Sequence, residues 1–404
     1  MAETEPPSSP AAPSPASPSR ATAHAAAELR VEIDDSGRSA GVEPEEENGG
    51  VQEPFDPERI EVQTRNPTVS LLLNRLERGT IDLTPDFQRA AGIWKPVVQS
   101  RLIESLLLRI TLPAIYAAEE GDDSWVVVDG VQRLSTIARF VKPELLGEPP
   151  LRLSGLEYLT QFNGCTFHDL PGRMKTRIEE TELIVLLIRH GTPEAVKFNI
   201  FARINTAGAP LSRQELRHAL IPGRARDFLK ELASSPAFLD ATGHSVSPAR
   251  MADREMCLRF VAFLLTPPNQ YTGQDFDGFL RNAMHRINGL SDPELGRVRG
   301  YFRKGMAAGR LVFGEWAFRK LLDSDRRPPI NKALFEAEAV NLALLSREEI
   351  EELDRRDDML FAEFEALMDD TIFYDAISAG TGDADKVNYR FQSVKDAFWT
   401  VLNA

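Results

Sequence analysis

Cysteine is almost missing from this 404-residue chain. Only Cys165 and Cys257 occur, far apart and without metal-ligand spacing. Two thiols so placed build neither a disulfide framework nor a zinc site, which leads us to expect a reducing, cytoplasmic compartment. Long apolar runs are missing too: none approaches the ~20 residues of a membrane-spanning helix, so no membrane association is expected. The N-terminus has no basic-then-apolar leader and gives no secretory signal to read. No repeat period stands out, which argues against a solenoid. Histidine is scarce. His24, His168, His190, His218, His244 and His285 are scattered without ligand spacing and read as structural or solvated side chains.

What is present is ordinary for a globular protein: 42% apolar and 27% charged residues, in a length that suits two core-bearing units. The net charge of −14 is unevenly spread. Residues 1–60 carry 13 acidic and 4 basic side chains, so the rest of the chain is close to neutral for its length. Residues 1–53 are rich in Pro, Ala, Ser and Glu and poor in large apolar residues. Such a stretch buries too little surface to offset its ordering entropy and is expected to be a disordered tail. Within it, the short apolar-acidic patch from Leu29 to Asp35 is at most a weak docking segment.

Order is expected from about Phe55. Val69–Leu76 reads as a helix opened by Pro67 and Thr68. A loop follows from Ile81 through Pro85, Asp86, Gln88 and Arg89 towards Trp94. Pro96–Arg109 has the apolar spacing of an amphipathic helix. Leu112–Ala118 and Trp125–Val128 read as strands around the acidic turn Gly121-Asp122-Asp123. Leu170–Glu179 reads as a helix and Leu183–Ile188 as a buried strand. Thr192-Pro193 opens a helix running to Asn205, and Ser212 with Glu215 forms a capping box for a helix to Ala219. From residue 222 onward only helices are expected: 225–232, 253–265, 276–287, 293–308, 332–344, 347–368 and 387–402. Their aromatics, Phe302, Trp316, Phe318, Phe335, Phe361, Phe364, Phe373, Phe391 and Trp399, read as core packing. The fold class is therefore α+β: a small mixed core over 54–221, then a mainly helical domain over 222–404.

The densest polar information lies in Trp125–Phe140. Three valines run into Asp129-Gly130, and Leu134, Ile137, Ala138 and Val141 then repeat at helical spacing. A strand, a tight turn and a helix carrying Gln132 and Arg133 in its first turn present backbone N–H groups and a partial positive charge. That arrangement suits a phosphate, and Arg133 adds a forked cation. The same residues also fit a plain helix start, with Asp129 as N-cap and Gln132 completing a capping box. Two further clusters share this polar grammar. The first, Asp86-Phe87-Gln88-Arg89 before Trp94, reads equally as a surface turn. The second, Arg203-Ile204-Asn205-Thr206-Ala207-Gly208, reads equally as a helix C-terminus.

Taken together, the three clusters resemble a known family, the N-terminal domain of GmrSD-type (type IV) modification-dependent restriction enzymes (domain of unknown function 262). Its signature is similar to Asp129-Gly130-Val131-Gln132-Arg133 here. It also matches Pro85, Asp86, Gln88, Arg89 and Trp94 upstream, and Phe201 through Arg217 downstream. Order and spacing agree over roughly residues 65–265. The resemblance implies a ParB/sulfiredoxin-like core that binds a nucleoside triphosphate with Mg²⁺ and hydrolyses it to license DNA cleavage. Carried over, Asp129, Gln132 and Arg133 are the catalytic candidates, with Asp129 holding the metal and Gln132 orienting a water. Asp86, Gln88, Arg89, Trp94, Gly130, Arg203 and Asn205 are the nucleotide-binding candidates. The first Gln of the motif is replaced by Val131, which opens the alternative of binding without turnover.

The resemblance further implies a C-terminal His-Asn-His nuclease domain. Here no histidine lies beyond His285, so the helical half does not supply that site. The leading expectation is a nucleoside-triphosphate-binding and hydrolysing regulator of a DNA restriction or phage-defence system, with a separate nuclease subunit as partner. Two alternatives stand beside it: a non-hydrolysing nucleotide switch controlling DNA or partner binding, and a metal-dependent nuclease within the ParB-like fold itself. Arg213, Arg217, Arg224 and Arg226 form a candidate DNA-contact patch, which reads equally as a solvated helix face. A homo-oligomer is carried as a further possibility.

Overall fold

The computed structural model describes residues 41–43, 61–83, 94–204, 211–273, 275–321 and 327–404. Five strands, β1 (Val62–Arg65), β2 (Ile81–Asp82), β3 (Ile115–Glu119), β4 (Trp125–Asp129) and β5 (Val185–Ile188), form one mixed sheet in the order β1-β5-β3-β4-β2. The pairs β5/β3 and β4/β2 are parallel; β1/β5 and β3/β4 are antiparallel. The sequence reading missed β1, whose side chains are mostly exposed, and placed the two-residue β2 in a loop. Neither is long enough to show a period.

Alternation along the strands divides the sheet's two faces. Ile115, Ala117, Trp125, Val127, Val185 and Leu187 pack with helices α1 (Val69–Glu77), α2 (Pro96–Leu107), α3 (Val131–Val141) and α4 (Gly172–Glu180). Ala118, Val128 and Ile188 join the core of the helical region instead, through α5 (Glu194–Ile204) and α6 (Arg213–Leu220). The continuous Val126-Val127-Val128 run is thus explained: a strand covered on both sides has no solvent face to make polar. The helix ends follow their sequence signals. Thr68 caps α1 by accepting from the Leu71 N–H at 3.3 Å, and Ser212 and Glu215 close the capping box of α6.

Beyond α6 the chain is helical: α7 (Arg224–Ala233), α8 (Pro236–Ala241), α9 (Ala252–Leu265), α10 (Phe276–Gly289), α11 (Asp292–Phe313), α12 (Lys332–Leu344), α13 (Arg347–Arg355), α14 (Asp357–Asp369), α15 (Thr371–Ser378) and α16 (Ala384–Asn403). The short α8 and α15 escaped the sequence reading. The helix expected over 347–368 is two helices, broken at Arg356, which leaves helical geometry and whose guanidinium donates to the Val401 carbonyl at 2.7 Å. Helix α12 is the central rod, buried along nearly its whole length, with Glu336 and Glu338 the two carboxylates buried among its apolar residues. It lies against α11 so closely that a Cβ at Gly305 would come 2.5 Å from the Ala339 carbonyl oxygen. The expected aromatic core is present at Phe302, Phe318, Phe335, Phe364, Phe373 and Phe391. Trp399 is the correction, with 65% of its surface exposed.

A chain of ion pairs runs through this region and ties it to α6. Arg217 bonds Asp277 of α10 and lies 3.5 Å from Glu255 of α9. Glu255 also pairs with Arg259 at 2.9 Å and Lys332 at 3.2 Å. Arg259 reaches Glu336 at 2.8 Å, and Glu336 reaches Arg390 of α16 at 2.6 Å. Burial alone would raise the Glu255 carboxyl. The surrounding Lys332, Arg259 and Arg217 outweigh that and hold it far below the usual carboxylate range.

The tail also differs from expectation. Gly41, Val42 and Glu43, placed by the sequence reading in a disordered leader, lie against the helical region, where Val42 forms a parallel bridge with Ile330. No helix among the described residues is long and apolar enough to cross a membrane.

Candidate functional site: the strand–turn–helix at Asp129

Strand β4 ends at Asp129, the chain turns at Gly130, and α3 begins at Val131. The turn demands glycine twice over. Gly130 has φ +95, in the left-handed region, and a Cβ there would come 2.9 Å from the Ile115 side chain. Ile115 opens β3, so glycine is what lets α3 start flush against the neighbouring strand. Val131 is buried in the core beneath α3, where a glutamine would leave an amide without water; this accounts for the departure from the motif.

The first turn of α3 has no side-chain cap. The structure therefore corrects the capping-box reading: Asp129 belongs to the strand, and its carboxylate accepts from Arg133 Nη2 at 2.8 Å. The rest of the guanidinium turns back to the segment before β3. Its Nη1 donates to the Pro113 carbonyl and to that of Ala114 at 3.0 Å. Arg133 thus staples the start of β3 to the end of β4 and fixes the Asp129 carboxylate. It is 12% exposed, against 37% for Asp129. The half-open group at this junction is the carboxylate, while the cation is mostly committed to the protein. Gln132 is half-buried, and its carbonyl accepts from Thr136 Oγ1 at 2.7 Å.

Topology brings other segments to this end of the sheet. Tyr116 registers with both Asp129 and Leu186, so the starts of β3 and β5 meet the end of β4 here. Because β2 runs parallel to β4, the chain also leaves β2 on the Asp129 side. An open cleft of about 340 Å³ lies between the segments leading into β3 and β5, lined by Arg109, Thr111, Leu112, Arg177, Glu180 and Glu182 among others.

Of the other expected site residues, Asp86, Gln88, Arg89 and Asn205 lie outside the described residues. Trp94 is half-buried and packs on the core beneath the sheet. Arg203 is exposed on the last turn of α5. The proposed DNA-contact arginines do not form one basic face. Arg217 is 2% exposed and belongs to the buried ion chain. Arg226 turns inward to Asp82 at 3.2 Å and to the Ala219 and Ile221 carbonyls. Arg224 bonds Asp292 and the Leu290 carbonyl, and Arg213 is half-buried at the start of α6. Sequence spacing showed these arginines as a run; Asp277, 60 residues from Arg217, and Asp292, 68 residues from Arg224, carry no local signal. The Pro113 and Ala114 carbonyls that hold Arg133 were missed for a related reason: a backbone acceptor has no residue-type signature.

Among the described residues, no group of three or more His, Cys, Asp or Glu side chains is placed to hold a metal ion.

Residues 69–222 match the family model described as GmrSD restriction endonuclease, N-terminal domain. No curated protein and no solved structure matches the chain.

Proposed function

We propose that this chain, whose residues 69–222 match the GmrSD restriction endonuclease N-terminal domain model, is the nucleotide-responsive component of a DNA restriction system. The observation that supports the reading is the uncapped start of α3 directly behind a half-open carboxylate. The first-turn N–H groups of α3 have no intrahelical acceptor, and the helix dipole adds partial positive charge, so a phosphate is the natural occupant.

In this reading the phosphates of a nucleoside triphosphate meet the N–H groups of Val131, Gln132 and Arg133. Asp129 and Arg133 neutralise each other as a pair, so the site's own charge does not repel the nucleotide. Asp129 would be the residue to hold Mg²⁺, which would neutralise phosphate charge there. Arg133 acts as a positioning residue through Pro113, Ala114 and Asp129 rather than as a free phosphate clamp. Gln132 is the side chain left in the motif to orient a water. If Val131 stands where hydrolysis needs an amide, nucleotide binds and is not turned over, and the domain is a switch.

The test is binding and turnover of ATP, GTP, CTP and UTP with Mg²⁺, comparing the wild type with Asp129→Asn and Arg133→Ala. Asp129→Asn keeps an acceptor for Arg133 and removes the charge, so the fold stays intact and Mg²⁺-dependent affinity falls at least ~10-fold, the loss of one charge-assisted contact. Turnover in the wild type supports the hydrolase, and binding alone supports the switch. A folded wild type that binds none of the four nucleotides refutes the reading.

A further inference from the structure

Outside the nucleotide site, and independent of it, the helical region carries a second built feature. Residues 327–331 lead into α12. In this stretch Ile330 bridges Arg319 in antiparallel fashion and Val42 in parallel fashion. The Glu43 N–H donates to the Ile330 carbonyl at 2.8 Å, and the Ile330 N–H donates to the Gly41 carbonyl at 3.1 Å. Three residues of the tail thus add an edge to a short β-like arrangement, the main-chain mode by which extended peptides are recognised.

The side chains read the tripeptide as well. A Cβ on Gly41 would sit 1.6 Å from the Ser245 carbonyl oxygen, so only glycine enters there. Val42 packs on the large apolar core. The Glu43 carboxylate takes Lys320 Nζ at 2.7 Å and Asn331 Nδ2 at 2.7 Å. Lys320 is 6% exposed, with Ser378 Oγ at 2.9 Å and the Tyr374 ring at 4.7 Å as its other neighbours. Glu43 is its carboxylate partner. A buried ammonium without a counter-charge is costly, so the slot is built for an acid at this position. Asn331 spends its oxygen capping α12 at Leu334 and its amide on the Ile377 carbonyl and Glu43.

We propose that Ser245, Lys320, Ile330 and Asn331 form a peptide-docking slot specific for an extended Gly-apolar-Glu sequence. Its occupant is the chain's own Gly41-Val42-Glu43, which pins the acidic N-terminal segment to the helical domain. Because the occupant is tethered through residues 44–60, its effective concentration is in the millimolar range, and an added peptide competes poorly with it.

The experiment uses the full chain and a fluorescent peptide of residues 36–48. The Gly41→Trp chain, whose own segment no longer fits, binds the peptide at least ~10-fold more tightly than the wild type does, as removal of a millimolar tethered competitor requires. The peptide carrying Gly41→Ala does not bind, and neither does the peptide carrying Glu43→Gln. Hydrogen exchange gives a second readout: the Ile330 amide is protected in the wild type and exchanges faster in Gly41→Trp. A folded Gly41→Trp chain that ignores the peptide overturns the proposal, as does an Ile330 amide indifferent to the substitution. Equal peptide affinity for wild type and variant overturns occupancy by the tethered segment. So does a wild-type dimer that Gly41→Trp dissolves, which would place the occupant in a second copy.

Discussion

Replacing Glu336 with glutamine tests how the helical region is held together. Glu336 has no exposed surface, and each of its oxygens accepts from a different guanidinium: Arg259 Nη1 at 2.8 Å and Arg390 Nη2 at 2.6 Å. Glutamine keeps the volume and one acceptor oxygen but removes the charge, and its amide then points a donor at an arginine. Arg259 retains Glu255, whereas Arg390 keeps only the Thr381 and Ala376 carbonyls. Breaking a buried pair in this way costs about 3–5 kcal/mol, a large share of the ~5–15 kcal/mol that stabilises a typical domain. At roughly 2–4 °C per kcal/mol for a cooperative unit of this size, Glu336→Gln lowers Tm by about 6–20 °C. Urea melts show a lower midpoint at unchanged slope. The control is Glu351→Gln, which removes an i,i+4 pair with Arg347 that is half-exposed on one side and almost fully on the other, and changes stability by less than ~1 kcal/mol. A Glu336→Gln chain within ~1 kcal/mol of wild type would falsify the view that this carboxylate is the hub of the ion chain. The double variant Glu336→Met with Arg390→Met sharpens the test. It leaves Arg259 to Glu255 and removes the orphaned cation, so it costs less than Arg390 paired with no acid.

Two further outcomes follow from single groups. Glu338 is fully buried, and burial pushes its carboxyl up to about 8, only partly offset by the Phe318 N–H it accepts at 2.9 Å. Its folded pKa lies above the unfolded value, so its contribution is fully present below about pH 4.5 and is lost as pH rises through about 8. Melts from pH 5 to 9 therefore show wild-type stability declining relative to Glu338→Gln, and parallel curves would refute this. Gly130→Ala combines a left-handed backbone with a contact against Ile115. It costs about 2–4 kcal/mol, and thermal melts check this; a neutral result would mean the turn relaxes freely.

The fold was legible wherever a period was long enough to repeat or a cap had a side-chain signature. The Val126–Val128 strand, α3, the Ser212–Glu215 box and α12 announce themselves because burial on one or both faces, or one local hydrogen bond, dictates residue type. β1 and β2 did not, since a four-residue exposed strand and a two-residue strand carry no pattern. α8 and α15 are two turns or so each. The break at Arg356 was invisible because neither glycine nor proline marks it.

The site divides along the same line. Asp129, Gly130 and the start of α3 were placed correctly because their chemistry is local, a strand end and a turn. Arg133 was read as an outward cation, and Arg217, Arg224 and Arg226 as a basic run, because sequence shows a charge without its partner. Each of these four arginines also has a distant partner: Arg133 the carbonyls 19 and 20 residues upstream, the others Asp277, Asp292 and Asp82. Arg217 closes the segment running from Phe201 that shares the family's signature, yet its bonds lead out of α6 into α9 and α10. Residues 69–222 are therefore not electrostatically self-contained. Arg217 hands its charge to the helical region, and the Glu255–Arg259–Glu336–Arg390 chain carries the connection to α16. The connection also reaches the sheet, because α6 packs against β4 on its Val128 face.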